Sequence, residues 1–147
     1  MSKSMPIWKT MAIEDIKKLN YLQTSIKSLK QKIKLEEEKM NAYSGGLSAT
    51  PVQGGSSSKE DKLINAIAKK SELEKQKQIA EMELETINFA FTNLPKHQQD
   101  MLYTYYLSRN RGNMTYFCQK YSVSKAKAYL DLDAALQNFT RISYGVN

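Results

Sequence analysis

A chain of 147 residues, 41% hydrophobic and 25% charged, has the make-up of a soluble protein holding one domain, or a small domain and an extended helical part. The formal charge of +7 fits a polyanionic partner, and the single Cys118 excludes an internal disulfide. There is no CxxC or Cys/His cluster for zinc, and no apolar run approaches the ~18 residues of a membrane span.

Met1 to Thr10 lacks periodicity. Its apolar patch Met5-Pro6-Ile7-Trp8 reads as a tail folded onto a helix, or as a docking arm anchored by Trp8. Met1 to Ala12 is not the apolar core of a signal peptide, so a cytoplasmic protein is expected. From about Ile13 to Met40 a helix is expected. Leu19, Leu22, Ile26, Leu29, Ile33 and Met40 follow a 3,4 spacing broken at Glu36, the narrow seam of a coiled coil. Arm and helix together make segment 1–43. Residues 44–58 hold glycines, serines and Pro51 and read as a flexible linker.

Residues 59–93 predict a second long helix. Leu63, Ala66, Leu73, Ala80, Leu84, Ile87 and Phe91 keep heptad positions, with Lys70 and Lys77 interrupting the seam. A helix with one apolar stripe is not stable alone. Leu22, Ile26, Leu29 and Ile33 on the first helix, and Leu84, Ile87 and Phe91 on the second, must therefore pack against each other or against a second copy. A homo-oligomer, most simply a dimer, is expected.

Segment 94–147 carries 7 basic against 3 acidic residues. Leu94-Pro95 breaks one helix and starts another, in which Leu102, Tyr105 and Tyr106 recur at helical spacing. The polar run Ser108 to Asn113 ends it, and Asn113 is a good cap for a short helix with Phe117, Cys118 and Tyr121 inside. Cys118 reads as a buried core thiol. Tyr121-Ser122-Val123-Ser124 is a tight turn closed by a capping serine. In the last helix Ala128, Leu132, Ala135, Leu136 and Phe139 share one face. Short helix, turn with an inward valine, serine cap, longer helix: this is the pattern of a helix-turn-helix. The expected fold is all-α, with coiled-coil-forming long helices followed by this unit.

At these residues the chain resembles a known family. Leu94-Pro95, Phe117-Cys118, Val123-Ser124 and Ala135-Leu136 fall where region 4, the promoter-binding domain of sigma-70-like factors, has its LP, Ile-Ala, Val-Ser/Thr and Ala-Leu pairs. With its helical front half and Pro51 to Gly55 linker, the whole chain is similar to phage late-gene transcription regulators of the ArpU and RinA type. The sequence departs from the sigma pattern at Tyr116, where a glutamate is common, and at Ser122, where the turn usually has glycine. The resemblance implies duplex DNA as partner, together with host RNA polymerase, in the cytoplasm of a bacterial host.

The helical step turns Ala126, Leu130, Asp133 and Gln137 outward, with Lys127 and Tyr129 flanking. The resemblance puts Lys125, Ala126, Tyr129 and Leu130 at the positions that face DNA. Readout would then lean on Lys125, on Tyr129, and on contact of Ala126 or Leu130 with thymine methyls. Phosphate contacts fall to Lys120, Lys127, Arg109, Arg111 and the hydroxyl of Thr115. Seven of nine tyrosines lie between 103 and 144. They could form a stacking platform for single strands, but their spacing favours core packing for most.

Nothing reads as catalytic. His97, the one histidine, sits among Lys96, Gln98 and Gln99 as a surface residue, and no phosphate loop follows a strand. No enzyme activity, cofactor or metal is expected. Two other classes remain. A small terminase-like packaging protein also joins a helix-turn-helix to oligomerising helices. A coiled-coil adaptor would use the C-terminal helices to dock a protein, and the sparse charge on the last helix argues for it.

Overall fold

The computed structural model describes residues 4–47 and 56–145. All elements among them are helical. Two long helices, α1 (Ile7–Leu47) and α2 (Ser56–Thr92), run antiparallel and are followed by α3 (Lys96–Leu102), α4 (Met114–Tyr121) and α5 (Lys125–Tyr144). A π-helical turn, Tyr103–Leu107, extends α3. The chain forms two compact units, residues 23–82 and the remainder on either side of them.

In the 23–82 unit the second part of α1 lies against the first part of α2. Ile26 and Ile33 of α1 and Ala66 and Leu73 of α2 are buried. The polar interruptions of the seam are accommodated rather than expelled. Glu36 stays on the stripe, 9% exposed, with Lys39 Nζ at 3.3 Å. Lys70 and Lys77 are half-buried and reach Glu74 and Glu81 one turn on, at 3.5 and 3.4 Å. Long lysine stems cover the stripe while their ammonium groups stay at the edge. Each such pair contributes a few tenths of a kcal/mol at most.

The helices overrun the expected segment limits. α1 begins at Ile7, inside the stretch read as aperiodic, because Pro6 starts it. The Pro6 carbonyl accepts from the N–H groups of Lys9 and Thr10, both at 3.1 Å. Residues 44–47 and 56–58, read as linker, are helical, since extending a formed helix by a turn costs little. Linker residues 48–55 and Met1 to Lys3 lie outside the described residues.

The other unit joins the start of α1 and the end of α2 to α3, α4 and α5. Its core therefore extends beyond segment 94–147. Ala12, Ile16, Leu19 and Leu22 of α1 and Ile87 and Ala90 of α2 are buried there with Leu102, Phe117, Leu132, Leu136 and Phe139. Polar bonds tie the same elements together. Lys18 Nζ lies 2.8 Å from Glu83, Asn20 donates to the Leu107 carbonyl at 3.1 Å, and Tyr144 donates to Asp15 at 3.1 Å. The buried amide of Gln98 accepts from Asn138 of α5 at 2.8 Å. The stripe residues expected to pack within or between chains are covered to different extents in the single chain. Leu22, Ile26, Ile33 and Ile87 are buried; Leu29, Leu84 and Phe91 are half-buried.

The π turn overturns the expected register after Leu102. Ser108 N–H donates to the Tyr103 carbonyl at 2.8 Å, an i to i+5 bond that takes in one extra residue. Thr104, 2% exposed, and Leu107, 8%, consequently face the core. Tyr105 and Tyr106 are left half-buried. The expectation that most tyrosines pack in the core fails with it. Tyr103, Tyr116, Tyr129 and Tyr144 are exposed, and Tyr105, Tyr106 and Tyr121 are half-buried. Cys118 is likewise half-buried rather than core, because Phe117 occupies the inward position of α4.

Candidate nucleic-acid interface

The exposed side chains of the C-terminal half are carried by a turn and two helix starts with dense local hydrogen bonding. In the run Ser108 to Asn113, Ser108 Oγ donates to the Thr104 carbonyl at 2.6 Å and accepts from Asn110 N–H at 3.1 Å. Gly112, at φ +76°, turns its N–H to the Tyr105 carbonyl at 2.8 Å, a backbone conformation that favours glycine. Arg109 and Arg111 project from this braced turn and are exposed.

Asn113 caps α4, its Oδ1 accepting from Tyr116 N–H at 3.0 Å. α4 ends at Ser122, whose φ of 54° and ψ of 48° are left-handed. The position has the geometry for which glycine is the usual residue. Ser124 then caps α5, its Oγ accepting from Lys127 N–H at 3.1 Å. Both sequence-read caps are thus present. α5 buries Ala128, Leu132, Ala135, Leu136 and Phe139, the face read from its spacing.

Lys125, Ala126, Tyr129 and Leu130 come together on the first two turns of α5. All four are exposed, Tyr129 by 51% and Leu130 by 68%. Thr115, on the first turn of α4, is exposed too. Asp133 does not point freely outward as its position on the helix suggests. It is half-buried and forms an ion pair with Lys9 of α1. Beside it lies an open groove of about 420 Å³, with Ile13, Lys17, Tyr106 and Tyr129 among its lining. Burial, then the neighbouring Tyr105 and Asp133, push the Tyr106 hydroxyl far above the ordinary tyrosine range.

Lys127 and Lys120 are held internally. Lys127 Nζ is 3.0 Å from Asp131 one turn on. Lys120 Nζ donates to Thr104 Oγ1 at 2.9 Å, lies 3.5 Å from Asp100, and stands 5.4 Å from the centre of the Tyr121 ring. Tyr121 in turn donates to Asp100 and is 3.0 Å from Thr104 Oγ1. This network joins α3, the π turn and α4. Burial, then the bond to Asp100, raise the Tyr121 hydroxyl. For Lys120, desolvation pulls downward but the charges of Tyr121 and Asp100 outweigh it, and the ammonium is raised.

Sequence reading missed the network and the groove because their partners are far apart in the chain. The packing of α1 into this unit had one local signal: Ala12, Ile16 and Leu19 carry the apolar stripe back toward the start of α1. His97 is exposed, and no group of three His, Cys, Asp or Glu residues among the described residues could hold a metal ion. No helix among them is long and apolar enough to cross a membrane. Comparison with known protein families, curated proteins and solved structures finds no match for the chain.

Proposed function

We propose that the chain is a transcription regulator that binds duplex DNA through a helix-turn-helix formed by α4, the Ser122 turn and α5. The observation that carries this reading is the serine-capped start of α5. It presents Lys125, Ala126, Tyr129 and Leu130 to solvent on two turns whose opposite face is fully committed to the core. The N-terminal turns of such a helix are the part that enters a major groove. Arg109, Arg111 and Lys125 supply positive charge around it for phosphates. The resemblance of the helix-turn-helix to sigma region 4, and of the whole chain to the ArpU and RinA type regulators, extends the proposal. The protein would activate late phage genes by holding host RNA polymerase at a promoter. As a homodimer it would bind two half-sites one helical turn apart.

One observation favours a second reading. Ala126, Leu130 and Ala134 line the exposed side of α5 with small and apolar groups, a surface suited to another helix. In that case the unit is an adaptor that docks a protein.

Lys125→Ala and Tyr129→Ala separate the two. Both side chains are exposed, so thermal melts should shift stability by no more than about 0.5 kcal/mol. On a duplex selected from a random library by the parent protein, each substitution should weaken binding by ~1–3 kcal/mol, and Tyr129→Ala should have less effect on unselected DNA. A parent that selects no sequence and binds no duplex at low salt refutes the DNA reading and leaves the adaptor.

A further inference from the structure

The charge of the α3–α5 segment is organised in a way its composition does not reveal. It has three carboxylates, and each is paired with a lysine. Asp100 lies 3.5 Å from Lys120, Asp131 lies 3.0 Å from Lys127, and Asp133 pairs with Lys9. Arg109, Arg111 and Lys125 form no such pair among the described residues and are exposed. Of the four cations expected to meet phosphates, Lys120 and Lys127 are thus held by carboxylates while Arg109 and Arg111 are not, and neither is Lys125, expected to face the bases.

We propose that Asp100 and Asp131 mask Lys120 and Lys127 from DNA phosphates, so that sequence-independent affinity rests on Arg109, Arg111 and Lys125. The proposal rests on the DNA-binding reading and specifies which cations carry it. Exposed ion pairs are weak, worth ~0–1 kcal/mol, and a phosphate could draw either lysine away from its partner. The carboxylate, however, stays where it is. The Debye length is about 10 Å at 0.1 M salt. A phosphate within that distance meets a lysine and a carboxylate together, with no net charge. The gain from releasing counterions at the phosphate is then offset by the repulsion of the acid. Asp100 is the more firmly placed of the two, since Tyr121 also donates to it. Asp131, its side chain 21% exposed, is held against the body of α5 while Lys127 extends into solvent at 61%.

The distinction is measurable as a salt slope. Each neutralised phosphate contributes about −0.9 to the slope of log K against log salt. Three effective cations give roughly −2.7 and five give roughly −4.5. The full-length protein is titrated onto an unselected 20-base-pair duplex over a series of salt concentrations. Asp131→Asn and Asp100→Asn should each steepen the slope by about 0.9 and raise affinity roughly tenfold at 0.1 M salt. Asp131→Asn combined with Lys127→Met should leave the parental slope unchanged, whereas Arg111→Met should flatten it by about 0.9. Asp131→Asn breaks a pair within one helix, so it decides the matter even if loss of the Tyr121 bond loosens Asp100→Asn. Parental binding with an unchanged slope in Asp131→Asn, or a slope flattened when Lys127→Met is added to Asp131→Asn, overturns masking and leaves DNA binding standing. Absence of duplex binding by the parent and every variant overturns both.

Discussion

Ile16 lies in α1, more than a hundred residues before the α4–α5 turn, yet it is fully buried in the same compact unit. Ile16→Ala removes three carbons from that core. At ~0.8 kcal/mol per buried methylene the transfer loss is about 2.4 kcal/mol. The cavity left behind brings the total to about 3 kcal/mol, inside the usual range for Ile→Ala. Trp8, the one tryptophan, is half-buried two turns earlier in the same unit and serves as the reporter. With a urea dependence of about 1–3 kcal/mol/M, the midpoint followed by Trp8 fluorescence should fall by roughly 1–3 M. Ile7→Ala is the control. Ile7 is 79% exposed, so the change should stay within about 0.5 kcal/mol. The decisive companion measurement is hydrogen exchange in α5. Faster exchange at Leu132 to Leu136 in Ile16→Ala is expected, because α1 completes the core on which α5 sits. Parental urea behaviour together with parental exchange in α5 would refute the reasoning and make the α3–α5 segment independent of α1.

Ser122→Gly should stabilise the protein by about 0.5–1 kcal/mol. A left-handed serine costs about 1–2 kcal/mol, and the extra backbone freedom of glycine in the unfolded chain returns only part of that. A thermal melt should show Tm higher by a few degrees; a lower Tm would mean the serine side chain stabilises the turn. Tyr106 predicts an alkaline limit. Its folded-state pKa is raised by burial, so the native state holds its proton after the unfolded chain has lost it. That stability is fully present below the unfolded tyrosine value near ~10 and declines as pH rises toward the folded value. Tyr106→Phe should therefore lose less stability between about pH 10 and pH 12 than the parent, as followed by urea melts.

Much of the C-terminal half was legible because its signals are local. Asn113 and Ser124 cap helices through bonds to residues three positions away, and Ala128 to Phe139 share a face through the helical repeat alone. Neither depends on what the rest of the chain does. The long helices were legible for the same reason, down to the stripe on each. Whether those stripes met within or between chains was not in the spacing; the tertiary structure buries them within one chain.

Where the reading failed, the deciding contact was distant or a backbone irregularity intervened. One extra residue in the π turn rotates Tyr105 and Tyr106 away from the core and puts Thr104 there, and no side-chain pattern announces such an insertion. Segment 94–147 does not form its core alone, because Ile16 and Leu19 reach it only once α1 has folded beside α5. The net positive charge of the segment follows from composition. Which cations remain unpaired does not. Lys120 meets Asp100, and Lys9 meets Asp133, only after helices far apart in sequence are packed together, since an ion pair depends on distance in space and the helical repeat reports neighbours only along one helix.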